Sequence, residues 1–401
     1  MKIFIVDKFE AWGVDQLKGL AEVAVEPGLK GDELKKRLTA FDPNVIVVRS
    51  TKIPDDVMAA APKLQLIVRA GAGVDNIDIP AASRRGVKVT NCPGMNSAAV
   101  AELTIGLMVA LDRKIPDNVI DLRARKWNKN TYSKAGLGFK GRTIGILGAG
   151  AIGTEVARRA LAFDMKVLYF HLGRQRRLVD HPNCLRAELD DLLRNSDVVS
   201  IHVPGGESTK RLIDEQHLAL MKKTALLINT ARGDVIDQEA LLAALKAGRL
   251  RGAALDVYNN EPAATAETFD SPVCDCPNLY GTHHIGASTE QAQMAVAEEA
   301  VRIIAQFRQT GQALNCVNVQ KPRSNCLLVV RFHNKPGGLA HVFQHLADAN
   351  INAEEMDHVV YDGGHAAVAH IRIDQMPPDG TLTKIRTGHP NVIGADVMQV
   401  D

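Results

Sequence analysis

The chain lacks the marks of several protein classes. None of its apolar runs reaches the roughly 18 residues that a membrane-crossing helix needs. Its formal charges almost cancel, at net +2, which removes the case for a nucleic-acid partner and for binding to a membrane surface. The opening MKIFIVD reads as a strand followed by an acid, not as a signal peptide with a small-residue cleavage site. Cys92, Cys184, Cys274, Cys276, Cys316 and Cys326 are scattered with no C-x-x-C among them. A disulfide framework and a zinc site are therefore not expected, whereas reduced thiols in a cytoplasmic protein are. Cys274 and Cys276 stand closest, but a spacing of two in a proline-bearing loop is poor for a metal pair, so no metal is expected.

What is present starts at Thr143. In TIGILGAGAIG, Ile144, Ile146 and Leu147 read as a short buried strand, and Gly148, Gly150 and Gly153 follow in G-x-G-x-x-G spacing. The three glycines suit a tight turn, close approach of a pyrophosphate to bare backbone, and packing of helix on strand. A helix then begins, and Gly150, Ala151, Ile152 and Gly153 would offer it N–H groups and the positive end of a dipole for phosphates. A dinucleotide site is the prediction.

Either side of this point, apolar strands alternate with helical patterns, the sign of parallel sheets with crossover helices. Before it come Ile3–Val6, Asn44–Val48, Leu64–Val68 and Val87–Val89. NVIVV runs into Arg49-Ser50-Thr51-Lys52, and LQLIV into Arg69-Ala70-Gly71-Ala72-Gly73-Val74. Ligands sit at carboxyl ends of such strands, so Arg49, Lys52 and Arg69 are either solvated loop cations or an anion site with the small-residue loop beside them. Asn96 or Ser97 caps a helix to Leu111 that is apolar nearly all round, hence buried at a domain or subunit boundary. In RARKWNK, Trp127 either covers the core at a solvated helix end, or Lys129 and its neighbours reach a phosphorylated substrate, including one held by an adjacent subunit.

Beyond the glycines, MKVLYF is a second strand of the cofactor domain. An NAD-specific site places Asp or Glu at its tip for the ribose 2′-OH; here His171 stands there, followed by Gly173-Arg174-Gln175-Arg176-Arg177. Guanidinium groups pair well with a 2′-phosphate, so NADP is tolerated or preferred unless this is an ordinary basic loop. Further strands end in His202-Val203-Pro204, in Thr230-Ala231-Arg232, at Asp256, and before His284-Ile285-Gly286, where the nicotinamide is expected. Hydride transfer at a carbinol carbon needs a base, a cation for the carboxylate and a partner that tunes the base. His284, Arg232 and Glu261 supply those three.

VRAGAGVDNID, GMNSAAVAEL, WNK, GILGAGAIG, SDVVSIHVP, INTARGDVID, GAALDV, EP and HIGAST together resemble the D-2-hydroxyacid dehydrogenase family, in particular its D-3-phosphoglycerate dehydrogenase members, over residues 1 to 315. The resemblance implies catalytic roles for Arg232, Glu261 and His284, and a carboxylate-binding loop at Ala72, Gly73 and Val74, with Asn96 also on the substrate side. It implies an α/β fold of two doubly wound parallel-sheet domains. A flavodoxin-like substrate domain takes residues 1–95 and 285–315, and a Rossmann cofactor domain 96–284. Two departures stand out: His283 occupies the place of the family's usual proline, and the ribose acid is missing.

After a linker at 316–325, residues 326–401 read as βαββαβ, a ferredoxin-like order, and resemble an ACT domain. Such domains pair across subunits and bind L-serine; Asn334 and Asn352 match the asparagines that serve there, while Phe332 stands where a histidine is usual. Either serine feedback or simple pairing is implied, in a homodimer or homotetramer. Three functions follow: a 3-phosphoglycerate dehydrogenase using NAD or NADP, a glyoxylate or hydroxypyruvate reductase, or a nucleotide-sensing protein on the same scaffold.

Overall fold

The computed structural model describes residues 1–173, 177–262, 266–320 and 326–399. Two compact units emerge, Met1–Asn318 and Val319–Asp401.

The first unit holds two parallel sheets. One comprises β1 (Lys2–Ile5), β2 (Glu22–Val25), β3 (Val45–Val48), β4 (Leu66–Arg69) and β5 (Lys88–Asn91), in the order β2-β1-β3-β4-β5, which is the flavodoxin-like order. Every residue of β3 is buried, as uninterrupted apolar runs in a sheet covered on both faces require. The edge strand β2 was not anticipated: EVAV is only half covered, so it lacks the apolar run that marks its neighbours.

The other sheet comprises β6 (Thr143–Leu147), β7 (Lys166–Phe170), β8 (Cys184–Arg186), β9 (Val198–Ile201), β10 (Leu226–Asn229), β11 (Gly252–Leu255) and β12 (Leu279–Gly281). Its order is β12-β11-β10-β9-β6-β7-β8, the Rossmann order with a seventh strand, and its switch point lies between β6 and β9. The helix Ser97–Arg113 leads into this sheet; Leu107, Met108 and Leu111 are buried, while Leu103, Ile105 and Val109 are half-buried. Asn96 takes the N-cap position, but its side chain makes no capping bond. The helix Glu290–Thr310 returns to the first sheet, where Ala300, Ile303 and Ile304 pack with Ile3, Ile5, Val45, Val47, Leu66 and Val68. Residues 316–318, expected in the linker, are tied to β5: Val317 N–H bonds to Val89 O, and Val89 N–H donates to Asn318 Oδ1.

The second unit carries β13 (Cys326–His333), β14 (Ala353–Val360), β15 (Ala366–Ile373) and β16 (Val392–Gln399), antiparallel in the order β14-β15-β13-β16. Along β13 the buried side chains alternate, Cys326, Leu328, Val330 and Phe332, and meet Val342 and Leu346 of the helix Gly338–Asp348 and Ile385 of the helix Asp379–Thr387. This one-faced sheet fits an ACT-like domain. The expected linker at 321–325 lies outside the described residues.

One buried charge organises the segment between the sheets. Asp112, fully buried, accepts from Arg251 Nη1 at 2.7 Å and from the N–H groups of Leu137 and Gly138. Burial pushes its carboxyl up, but the Arg251 bond and the two N–H groups hold it below the ordinary range. Trp127 does not cover the core: it is 79% exposed. Asp112→Ala leaves the Arg251 guanidinium unpaired and should cost about 3 kcal/mol or more, read as a lower denaturant midpoint. Tryptophan fluorescence isolates the first unit, because both tryptophans, Trp12 and Trp127, lie in it. The depressed Asp112 contributes in full above its unfolded value of about 3.9, and that contribution is lost as pH falls through the folded value. An unchanged midpoint at neutral pH would remove Asp112 from this role.

Candidate active site

The glycine loop is built for a dinucleotide. Gly148 has φ +111°, and a Cβ there would strike the His202 carbonyl across the β6/β9 switch point. Its N–H bonds to Phe170 O at the end of β7, and His202 N–H bonds to Leu147 O, so three strand ends are pinned around one turn. A Cβ on Gly153 would strike the Gly148 carbonyl, which fixes the helix Ala151–Ala162 close on its strand. Gly150 is different, since a Cβ there meets nothing within 4 Å. Open space stands above the helix N-terminus, and the N–H groups of Gly150, Ala151 and Ile152 have no acceptor among the described residues. A pyrophosphate fits that cradle. Behind it, burial pushes His202 down to about 3; it stays neutral, with Nε2 2.8 Å from Ser200 Oγ and Nδ1 without a partner among the described residues. At the tip of β7, His171 is half-buried, and Asp164 and Asp180 bind Lys140 and Arg177 elsewhere. Arg174 lies outside the described residues.

At the ends of β11 and β12 stands a histidine–carboxylate pair. His284 Nδ1–H donates to Glu261 Oε2 at 2.7 Å, and Tyr258 N–H donates to Glu261 Oε1 at 2.9 Å. The Glu261 bond raises the His284 pKa, with burial opposing and the Asp256 carboxylate adding. Burial raises the Glu261 carboxyl, but its bonds from His284 and Tyr258 leave it lowered on balance. With Nδ1 engaged, Nε2 is the ring nitrogen free to exchange a proton. His283 is exposed and makes no hydrogen bond among the described residues, so of the two histidines it is His284 that meets the glutamate. Asp256, buried, accepts from Thr282 Oγ1, Ile285 N–H and Gly286 N–H, each within 2.8 Å. Both of its oxygens are spent on the turn that carries His284.

A cluster of arginines faces this pair. Arg232 Nε donates to Asp75 Oδ2 at 2.8 Å, its Nη2 lies 2.7 Å from the same oxygen, and Nη1 donates to Ala231 O. Its loop is shaped by Asn229, whose Oδ1 takes the Ala231 N–H while Nδ2 donates to Arg232 O. Thr230 Oγ1 meets Thr104 Oγ1 at 2.9 Å. Arg69 is held below its ordinary range, at about 10, by burial and by Arg232, with Arg49 also near, and its buried Nε has no partner among the described residues. A Cβ on Gly71 would collide with the Arg69 guanidinium and one on Gly73 with that of Arg232. Both guanidinium groups thus lie close against the loop, and at Gly71 the φ of +150° adds a backbone reason for glycine. The N–H groups of Ala72, Gly73 and Val74 have no acceptor among the described residues, and Asn96 Oδ1 is buried without a donor. The arrangement can hold an anionic group against N–H donors and guanidinium groups.

Not every expected residue joins. The N–H groups of Arg49, Ser50 and Thr51 all bind Asp7 Oδ2 at 2.7–3.1 Å, so that strand end offers the Arg49 side chain, which reaches Gln293 Oε1 at 3.3 Å. Lys52 and Lys129 are exposed and their side chains are unpaired among the described residues. Val203 is buried and Pro204 exposed after β9. In the second unit Asn334 Nδ2 bonds to Gly364 O, whereas Asn352 sits against Asp374. These are opposite ends of the β13/β15 register, so one chain does not bring the two asparagines together. Asp75, Asp7, Asn229 and Tyr258 were not singled out; Asp75, Asp7 and Tyr258 act on loops distant in sequence, and Asn229 shapes its own loop.

Residues 105–286 match the D-isomer specific 2-hydroxyacid dehydrogenase, NAD binding domain. Over 99% of its length the chain is 34% identical to a D-3-phosphoglycerate dehydrogenase of Methanocaldococcus jannaschii, covering 74% of that protein. It is 40% identical to a glyoxylate reductase of Thermofilum pendens over 75% of its own length and 89% of the relative's. A D-lactate dehydrogenase of Aquifex aeolicus solved with NAD and lactic acid superposes with a TM-score of 0.69 at 27% identity, covering 80% of this chain and 100% of that one. The chain belongs to the D-isomer specific 2-hydroxyacid dehydrogenases, NAD(P)-dependent oxidoreductases.

Proposed function

We propose that the chain is a D-3-phosphoglycerate dehydrogenase, interconverting 3-phosphoglycerate and 3-phosphohydroxypyruvate at the first step of L-serine synthesis. The carrying observation is the surplus of cation: Arg69 lies near both Arg232 and Arg49, and among the described residues only Arg232 of the three makes an ion pair, with Asp75. A lone carboxylate substrate needs one guanidinium; a phosphate adds about −1.5 to −2 at pH 7, which suits the other two. The relative aligned over nearly the whole chain carries this name.

The chain's own groups then divide as follows. N–H groups of Ala72, Gly73 and Val74, with Arg232, take the carboxylate, and Arg232 polarises the C2 oxygen; such electrostatic terms are worth about 3 kcal/mol. Arg69 and Arg49 take the phosphate, and the Asn96 side chain serves the same substrate. His284 Nε2 accepts the hydroxyl proton in oxidation and returns it in reduction, while Glu261 fixes the tautomer. NAD or NADP, when bound, supplies a nicotinamide that accepts or donates the hydride. A reductase of a smaller acid has one observation in its favour: Asp7 already fills the N–H groups after β3. Exposed Ile115, Val119, Ile120, Leu122 and Trp127 suit pairing with a second copy, which would also place Lys129 at a neighbour's substrate. The second unit is proposed to bind L-serine, with Asn334 of one copy and Asn352 of another.

Initial rates with 3-phosphoglycerate and with D-glycerate, each with NAD and NADP, test the reading. A preference of about tenfold or more for the phosphorylated acid is expected, or about 1.4 kcal/mol at the transition state; equal rates would favour the reductase. The raised His284 pKa sets a second expectation. Oxidation needs neutral His284, so its rate falls as pH drops through that pKa; reduction needs the protonated ring and fails as pH rises through it. Glu261→Gln removes the group that raises it, so both limbs should move to lower pH; unmoved limbs would separate Glu261 from the base. Titration calorimetry with L-serine should give saturable heat at millimolar concentrations; its absence would leave a pairing module.

A further inference from the structure

The three segments that carry Arg232, Glu261 and His284 meet at one residue with no role in the proton transfer proposed here. Tyr258 lies at the end of β11. Its one hydroxyl proton is shared between Thr282 O at 2.8 Å and Leu255 O at 3.0 Å, and its own N–H holds Glu261 Oε1. Thr282 stands two residues before His284. A Cβ on Gly281 would collide with the Tyr258 hydroxyl, and one on Gly233, next to Arg232, would collide with the Tyr258 carbonyl. The small residues at 281 and 233 are thus what let the tyrosine approach both loops. Its ring packs on Phe269, with centroids 5.1 Å apart.

The dyad needs such support. Asn260, immediately before Glu261, has φ +58°, and His284 itself has φ +54°. Both lie in the left-handed region, where a side chain is disfavoured by roughly 1–2 kcal/mol. Conformations of this kind persist where surrounding bonds over-determine them. Asp256 secures the segment after His284 through Ile285 and Gly286; before it, Asp256 takes the Thr282 hydroxyl and Tyr258 holds the Thr282 carbonyl. Resting on the reading of His284 and Glu261 as the proton-transfer pair, we propose that Tyr258 is a positioning residue whose hydroxyl fixes the Thr282–His284 turn in register with Glu261. Burial and the Asp256 carboxylate push the phenol up to about 12, so the hydroxyl keeps its proton, and this bond, through the mildly alkaline range in which oxidation runs.

The test compares Tyr258→Phe, which keeps the ring on Phe269, with Phe269→Leu, which loosens the same packing but leaves the hydroxyl. Both are made in the full chain, beside His284→Gln. Tyr258→Phe is expected to lower kcat about fivefold, the scale of one neutral hydrogen bond, with the substrate KM unchanged. Its acid limb of oxidation should move to lower pH, as the Glu261 bond to His284 slackens. Phe269→Leu should lower the unfolding midpoint and leave the limb in place. Wild-type kcat and limb in Tyr258→Phe would overturn the proposal, and so would an equal shift of the limb in Phe269→Leu, which would assign the effect to packing. His284→Gln separates the failures: full turnover there removes the dyad reading itself, whereas loss of turnover beside an unaffected Tyr258→Phe removes only the role of the tyrosine.

Discussion

The ion pair between Arg232 and Asp75 is the contact on which the site depends. Asp75 follows β4 in one sheet and Arg232 follows β10 in the other, so a single carboxylate brings the carboxyl ends of two parallel sheets to face each other. Parallel strands leave their loops and unsatisfied N–H groups at that end, and two such ends in apposition enclose a ligand from both sides. The pair is partly exposed, so it is worth little as a source of stability. Its consequence is placement: with Nε turned to Asp75, the guanidinium lies over Gly73, where its remaining N–H groups and those of the loop can act on one anion.

That placement explains a pattern of charges that would otherwise be unfavourable. Arg69 is pushed down by burial and by Arg232, and part of its guanidinium has no partner. Unpaired buried cations are costly, and a fold keeps them where a ligand supplies the missing charge. The same reasoning separates Arg49 from the backbone around it, whose N–H groups Asp7 has already satisfied.

The glycine loop was legible because each glycine answers a local demand, a left-handed turn at Gly148 and a close helix at Gly153, that sequence spacing records. Arg232 and Glu261 stood out behind strands of apolar character, whereas His284 was chosen over His283 from the resemblance, through the Ile-Gly-Ala-Ser that follows it. Asp75 and Tyr258 were not legible, since their meaning lies in partners from distant loops: Asp75 meets Arg232 across 157 positions. The Asp7 carboxylate was hidden for the same reason; it fills the N–H groups of Arg49, Ser50 and Thr51 and leaves the Arg49 side chain as what that strand end offers. Trp127 misled in the opposite sense: an aromatic beside apolar helices suggests core, but nothing in its spacing says which face of the unit it occupies.

The distribution of buried and exposed charge gives the site its division of labour. Asp256 is buried, and its two oxygens receive three donors. A carboxylate so bonded is held rigidly in place. Glu261 and His284 are more exposed, their charges depend on each other, and the histidine proton is free to move at Nε2. A buried, fully bonded acid therefore sets the geometry, and a half-exposed pair performs the exchange. Were the roles reversed, with the pair sealed and its support exposed, the imidazole could not change charge without the full cost of desolvation, and the turn that aims it would be free to drift.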